Sequence, residues 1–205
     1  MAREPGTGLT NFLWGLLLVA TIAISGYLAF NYFTFKKIVE YPFAQSAQSN
    51  AKGTIKVVEF LDYSCPYCHQ MFHTLKQATA GQADINIIIR PVALLSEDSA
   101  AIASFVIAAG EQGKAYAFHE ALMSQKTPPR IDMLMPIAKN LNLDLEKLKN
   151  DVQSDKTLDT LKINAALHKH YNLRSVPALL INGKKFSPEG GMPSGDSLLK
   201  TIRNF

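Results

Sequence analysis

The chain contains two cysteines, Cys65 and Cys68, which are separated by two residues and followed directly by His69. A Cys-x-x-Cys-His sequence is compatible with three kinds of chemistry: covalent attachment of haem, part of a metal site, or exchange between thiols and a disulfide. The secondary structure predicted around this sequence, FLDYSCPYCHQMF, helps to distinguish these three kinds of site.

The residues around the cysteines predict a strand followed by a helix. Residues 54–63, TIKVVEFLDY, are rich in β-branched and aromatic side chains and are typical of a buried strand. Ser64 is a candidate N-cap, Pro66 suits a first helical turn, and apolar residues recur at helical spacing over residues 67–80. Cys65 is therefore expected at a helix N-terminus, where backbone N–H groups and the helix dipole stabilise a thiolate.

The spacing of the cysteines also favours an exchangeable disulfide. Cys68 lies almost one helical turn beyond Cys65, on the same face and within bonding reach. So short a loop would stabilise the fold by only about 2 kcal/mol through chain entropy, against about 5 kcal/mol for a loop of a hundred residues. We interpret Cys65 as the attacking thiol and Cys68 as the deeper, resolving thiol.

The two competing kinds of site fit the sequence less well. Covalent haem needs two thioether cysteines and an axial histidine, which Cys65, Cys68 and His69 provide, but the motif follows a hydrophobic strand. A zinc site usually needs four ligands from paired clusters, and there is no second cysteine pair. His168 and His170 are one residue apart on a predicted helix and so face different directions. We predict no metal and no cofactor, with the haem alternative still open.

The remaining elements continue an α/β pattern. Residues 85–92 predict a second strand, parallel to the first, and residues 97–171 predict a series of helices. We expect a strand at residues 176–183 that ends in an Asn-Gly turn, and its hairpin partner at residues 184–187. A short helix is expected at residues 197–203. The order β-α-β, helical insert, β-β-α resembles a thioredoxin-like α/β fold with an inserted helical domain.

The N-terminal region predicts one transmembrane helix. Residues 12–30 are nineteen residues without a charge, within a charge-free run over residues 5–35. A helix of that length covers about 28 Å, close to the hydrocarbon thickness of a bilayer. A cleaved signal peptide is the alternative, but the nearest small-x-small site lies at residues 44–49, well beyond the apolar run. We expect an uncleaved anchor over residues 11–35.

Composition bounds the rest of the organisation. The 205 residues suffice for one packed domain besides the anchor. We expect a short tail at 1–10, a flexible linker at 36–53 and the folded domain at 54–205, with the helical insertion at about 97–171. The net charge is +4, and the basic residues are spread along the chain, so nothing supports nucleic-acid binding.

Two motifs carry a family resemblance. FLDYSCPYC after a strand and LRSVPALLINGKKF near the C-terminus, with a helical insert between them, resemble the DsbA-like branch of the thioredoxin superfamily over roughly residues 54–205. The resemblance implies a thiol-disulfide oxidoreductase in which Cys65 is the exposed nucleophile and Cys68 its buried partner. It also implies that Pro177, preceded by Val176, is a cis-proline facing the disulfide.

The resemblance assigns roles to the neighbouring residues as well. Glu59 matches the buried acid that assists proton transfer at the inner cysteine, although a strand-edge glutamate facing water is the alternative. Val176 is typical of the oxidases, whereas related isomerases often carry threonine there. Pro66 and Tyr67 form a Pro-Tyr dipeptide where the strongest oxidases have Pro-His, so only His69, outside the pair, could supply a positive charge. Pro66, Tyr67, Val176 and His69 are the expected substrate contacts.

The resemblance finally implies partners and a location. The substrates would be cysteine-containing client proteins, and reoxidation would use a quinone-linked membrane partner of the DsbB type. Such chemistry belongs on the extracytoplasmic or periplasmic side of the cytoplasmic membrane. The positive-inside rule does not support this orientation, because Lys36 and Lys37 follow the span. A disulfide isomerase or reductase kept reduced by a membrane electron donor remains an alternative, and a tethered c-type cytochrome a more distant one.

Overall fold

The computed structural model describes residues 7–125, 127–186 and 191–205, and the side chains of residues 7–9 are not described. The helices and strands within these ranges are α1 (Thr7–Glu40), β1 (Ile55–Leu61), α2 (Pro66–Thr79), β2 (Ile85–Pro91), α3 (Ser99–Ala109), α4 (Ala115–Met123), α5 (Leu134–Asn140), α6 (Leu145–Val152), α7 (Asp155–His170), β3 (Ala178–Ile181), β4 (Lys184–Phe186) and α8 (Gly195–Asn204). Two 3-10 turns cover Gly110–Gln112 and Ile131–Met133. The chain divides into two compact units, Met1–Ile38 and Val39–Phe205.

The first unit consists of most of α1. Residues Thr10–Glu40 are long and apolar enough to cross a membrane, by length and composition. Its large apolar side chains, including those of Trp14 and Tyr27, are exposed, as a lipid-facing surface requires. Residues 1–6 of the expected tail lie outside the described residues, and the predicted domain boundaries stay predictions.

The second unit is built on a four-stranded mixed sheet in the order β2-β1-β3-β4. β1 pairs in parallel with β2 and antiparallel with β3, and β3 pairs antiparallel with β4. β1 is central, and its sequence IKVVEFL supplies the apolar residues that a strand covered on both faces needs. Since α3 to α7 follow β2, the predicted thioredoxin-like fold with a helical insertion is confirmed.

The C-terminal hairpin follows from its turn residues. Asn182 and Gly183 have φ values of 50° and 81°. A two-residue turn with both φ angles positive matches the right-handed twist of the flanking strands, and Asn-Gly is the pair that adopts it most readily. The turn is therefore where the sequence predicts it, and Ser187 of the predicted partner strand lies outside the described residues.

Two buried clusters hold the second unit together. One joins α2 and α8 to the sheet through residues such as Met71, Leu75 and Leu198. The other joins the sheet to the helical insertion and includes Cys65 and Cys68. Because the cysteines belong to this second cluster, packing of the insertion determines how far each sulfur is shielded from water.

Residues 36–53, the segment predicted as a linker, include helical and sheet-bonded residues. Helix α1 continues to Glu40, and Ala47 is fully buried. The Ser49 N–H donates to the Ile87 carbonyl at 2.9 Å, and the Ile89 N–H donates to the Ala47 carbonyl at 3.2 Å. β2 is an edge strand whose outer backbone groups need partners, and this polar segment supplies them.

A buried arginine ties the start of the second unit to the sheet. The Arg90 guanidinium donates to the carbonyls of Val39, at 3.3 Å, and of Tyr41, and to Asn164 Oδ1 at 3.1 Å. Burial lowers the pKa of Arg90 to about 10, so the group stays charged at neutral pH. A cation beside the last carbonyls of a helix is favourable, because the C-terminal end of the helix dipole is negative.

Replacing Arg90 should therefore destabilise the second unit strongly. Arg90→Met is expected to lower the free energy of unfolding of the second unit by about 3 kcal/mol, because three acceptors, two of them buried, lose their donor. Denaturant unfolding of the full chain in detergent, followed by near-ultraviolet circular dichroism, measures the loss. Arg203→Met is the control, since Arg203 pairs with Asp84 at the surface and its loss should change stability far less. Equal losses in both variants would contradict the account.

Candidate active site

Cys65, and not Ser64 as predicted, is the N-cap of α2. Cys65 has φ −89° and ψ 115°, and Pro66 is the first helical residue, where its missing N–H costs nothing. The Cys65 N–H donates to the Asp62 carbonyl at 3.0 Å, and its own carbonyl accepts from the N–H groups of Cys68, at 3.0 Å, and His69, at 3.3 Å. The Cys65 sulfur therefore lies at the positive end of the helix.

Both cysteines are reduced and buried, with exposed fractions of 3% for Cys65 and 0% for Cys68, so Cys65 is not exposed, contrary to what the resemblance implies. The acidities of the two thiols differ. Hydrogen bonding from the Cys68 thiol, together with backbone N–H groups of Cys68 and Tyr67, lowers the pKa of Cys65 from 9.0 to about 6, although burial opposes the shift. Burial raises the pKa of Cys68 far above its ordinary value, and donation to Cys65 raises it further. At neutral pH Cys65 is consequently a thiolate, held by a protonated Cys68.

The segment before β3 faces this thiolate. The Val176–Pro177 peptide bond is cis. The Val176 carbonyl lies 3.6 Å from Cys65 Sγ and accepts a hydrogen bond when that thiol is protonated. Residues more than a hundred positions apart in the chain thus meet at the reactive sulfur, as the family resemblance implies.

Glu59 lies on β1 and is buried, which excludes a strand-edge carboxylate facing water. Its Oε1 atom has no hydrogen-bond partner among the described residues. Burial, and then the negative charge of Cys65, raise the pKa of Glu59 from 4.5 to about 8. The carboxyl is therefore mainly protonated at neutral pH and has a proton to donate.

The raised pKa of Glu59 predicts a pH-dependent stability. In the unfolded chain Glu59 ionises near 4.5, so folding takes up a proton between pH 4.5 and 8, and wild-type stability falls as the pH rises through that range. Glu59→Gln removes this loss. Between about pH 4 and pH 7, the free energy of unfolding of the variant should therefore rise by about 2 to 4 kcal/mol relative to that of the wild type.

Denaturant unfolding of the reduced full chain at several pH values measures this shift. Glu146→Gln is the matched control, because Glu146 is exposed on α6 and should leave the difference from wild type nearly constant with pH. A constant difference for Glu59→Gln as well would show that Glu59 is ionised in the folded protein.

The other predicted site residues lie at different distances from the chemistry. Pro66 and Tyr67 are exposed beside Cys65. His69 Nε2 lies 3.2 Å from the Tyr63 carbonyl, to which it donates. Within the described ranges no hydrogen bond joins the His69 imidazole to the Cys65 sulfur, so the imidazole contacts the Tyr63 carbonyl and not the thiolate.

A groove opens next to Cys65. Its volume is about 450 Å³, within the range of about 300–1,000 Å³ that ligand pockets occupy. Tyr67, Val176 and Pro177 line it, whereas Pro66 and His69 do not. Three of the residues predicted to act at the site thus share one surface.

Asp62 is a site residue that the sequence reasoning missed. It is fully buried, and its carboxylate accepts four hydrogen bonds at 2.7 to 3.0 Å, from the N–H groups of Ser64, Leu94 and Leu95 and from Ser99 Oγ. These bonds fasten the segment before Cys65 to the loop between β2 and α3. The sequence feature that could have identified Asp62 is its place directly after a predicted buried strand, where an unpaired charge would be costly.

His119, on α4, is buried next to Tyr63. Its Nδ1 lies 3.2 Å from the Tyr63 hydroxyl, and the rings of Phe72 and Tyr116 pack around it. Burial lowers the pKa of His119 to about 3, so the imidazole is neutral, and its Nδ1 shares a hydrogen bond with the Tyr63 hydroxyl. His119 thus holds the Tyr63 side chain, and His69 holds the Tyr63 carbonyl.

Comparison with known proteins identifies the family to which the folded domain belongs. The DSBA-like thioredoxin domain family matches residues 56–202. The chain belongs to this family. It is homologous to thiol-disulfide oxidoreductases of the DsbA type, which favours thiol exchange over haem attachment for Cys65 and Cys68.

Solved structures support the same assignment. A thioredoxin-like oxidoreductase from Silicibacter pomeroyi DSS-3 is 26% identical, with 80% of this chain and 92% of that chain covered and a TM-score of 0.70. The catalytic domain of Proteus mirabilis ScsC is 25% identical, with 85% and 96% covered and a TM-score of 0.71. The thiol-disulfide exchange protein alpha-DsbA2 from Wolbachia pipientis, 22% identical with 90% and 97% covered and a TM-score of 0.72, shares the fold.

Curated relatives of a different description also match part of the chain. The Na⁺/H⁺ antiporter NhaA 3 of Salinispora tropica and NhaA 1 of Salinispora arenicola are each 23% identical over 136 residues, which is 65% of this chain. The chain spans about a fifth of the length of these curated relatives, since 21% of each is covered.

Proposed function

We propose that this chain is a protein thiol-disulfide oxidase that introduces disulfides into client proteins through Cys65 and Cys68. The observation that carries the proposal is the asymmetry of the two thiols: the pKa of Cys65 is about 6, whereas Cys68 stays protonated. The hydrogen bond from the Cys68 thiol, the largest contribution to the lowered pKa of Cys65, can exist only in the reduced protein. It favours reduction of the Cys65–Cys68 disulfide, and an enzyme with a stabilised reduced form is a strong oxidant.

The reaction proceeds by two thiol-disulfide exchanges. A client thiolate attacks Cys65 Sγ of the oxidised enzyme, the Cys65–Cys68 bond breaks, and Cys68 leaves as a thiolate that takes up a proton. A second client thiolate then attacks the client sulfur of the mixed disulfide, and Cys65 leaves as a stabilised thiolate. Two electrons pass from the client to the enzyme, and the client gains one disulfide.

Two neighbouring groups assist these steps in the proposed mechanism. Glu59 donates the proton that the departing Cys68 thiolate requires, which its burial and raised pKa support. Pro177 and Val176 hold an extended client segment beside Cys65, which their place in the groove supports. Tyr67 adds an exposed apolar surface, and Val176 rather than threonine before the proline favours the oxidase direction.

The enzyme is proposed to work at a membrane surface. Residues 11–35 anchor it, and the catalytic domain lies on the extracytoplasmic or periplasmic side, where disulfides persist. A quinone-linked membrane partner of the DsbB type accepts the two electrons and restores the Cys65–Cys68 disulfide. Anchoring would confine the enzyme to the surface that carries this partner and the emerging clients.

Single cysteine variants test the assignment of roles. Cys68→Ser should accumulate mixed disulfides with client proteins, because the resolving thiol is missing and the Cys65 thiolate still reacts. Cys65→Ser should accumulate none and should lose insulin reduction in vitro. Non-reducing electrophoresis of acid-quenched cells detects the adducts. Full insulin reduction by the Cys65→Ser protein, or trapping through Cys68, would reverse the roles.

A further inference from the structure

The groove beside Cys65 combines an apolar floor with a basic rim. Met71, Leu173, Phe186 and Met192 contribute apolar surface. Methionine side chains are unbranched and polarisable, so such a floor adapts to different apolar side chains without selecting one. Any selectivity of the groove must therefore come from its polar groups.

Among the described residues that line the groove, the charged groups are two cations. Arg174 and Lys185 line it and are exposed, and no carboxylate is among the lining residues in the described part of the chain. Lys185 Nζ donates to the Asn172 carbonyl at 3.1 Å, which holds the ammonium beside the segment that leads to Val176. None of the ion pairs between described residues involves either cation.

The position of Arg174 relates this charge to the reacting sulfur. Arg174 precedes Val176 by two residues, and the Val176 carbonyl lies 3.6 Å from Cys65 Sγ. Two residues of extended chain span at most about 7 Å. An extended client segment joined to Cys65 would consequently bring the side chains two or three residues from its cysteine within reach of the basic rim.

We propose that the groove selects client segments in which an apolar side chain and an acidic side chain accompany the reacting cysteine. The inference rests on the proposed function and names its preferred substrate class. The apolar side chain occupies the methionine-lined floor, and the carboxylate pairs with Arg174 and Lys185. Because both cations are exposed, the preference is moderate and weakens as salt screens the charges.

Matched peptides test this preference. The full-length Cys68→Ser protein in a neutral detergent is first converted to a mixed disulfide between Cys65 and thionitrobenzoate. Single-cysteine peptides with the same apolar residues, and with Glu, Gln or Lys two and three positions from the cysteine, then displace the coloured thiolate. Each rate is divided by that of the same peptide with a small-molecule thionitrobenzoate disulfide, which removes differences in thiol acidity.

The Glu peptide should react about three- to tenfold faster than the Lys peptide at low salt, with the Gln peptide between them. The ratio should shrink as salt is added. Arg174→Glu and Lys185→Glu should each abolish or reverse it. Lys184→Glu is the matched control, because Lys184 neighbours Lys185 on β4 and does not line the groove.

The outcomes separate this inference from the function on which it rests. Equal rates for the three peptides at low salt, a faster Lys peptide, or the same change at Lys184 as at Lys185 would overturn the acidic preference. If no peptide displaces the thiolate from Cys65 faster than from the small-molecule disulfide, the proposed oxidoreductase chemistry fails as well. Should Arg174→Glu fold poorly, Lys185→Glu and its control decide the question alone.

Discussion

The site depends on one interaction, the hydrogen bond from the buried Cys68 thiol to the Cys65 sulfur at the start of α2. It makes one cysteine acidic and the other resistant to ionisation. The bond requires a helix that begins at Pro66, so that both sulfurs lie on one face, and packing that keeps water from the Cys68 thiol. The thioredoxin-like scaffold supplies the helix, and the buried cluster that joins the sheet to the helical insertion encloses both cysteines.

The buried ionisable side chains of the domain differ in how fully they are hydrogen-bonded. Asp62 accepts four hydrogen bonds, and Arg90 donates to three acceptors, so each fastens separate segments of the chain together. Glu59 is buried as deeply, but one of its oxygens has no partner in the described ranges. A carboxyl in that environment holds its proton, and an under-satisfied buried group is where a catalytic role is expected.

Local patterns predicted the elements that carry the chemistry. The strand before Cys65, the helix that begins at Pro66 and the Asn182-Gly183 turn each follow from residues within one short segment. The pairing of residues 47–49 with the edge strand β2 was not predicted, because it depends on strand order, which a polar segment does not encode locally. Asp62 was missed for a similar reason. Three of its four donors, Leu94, Leu95 and Ser99, lie more than thirty residues further along the chain.

The account makes the Cys65–Cys68 pair an oxidant, and its reduction potential tests that claim most directly. The full-length protein in detergent is equilibrated with glutathione buffers, and the fraction of reduced Cys65 is measured by alkylation after acid quenching. A potential between about −120 and −180 mV, in the range from DsbA to protein disulfide isomerase, is the predicted result. A value near that of thioredoxin, about −270 mV, would contradict the oxidase assignment.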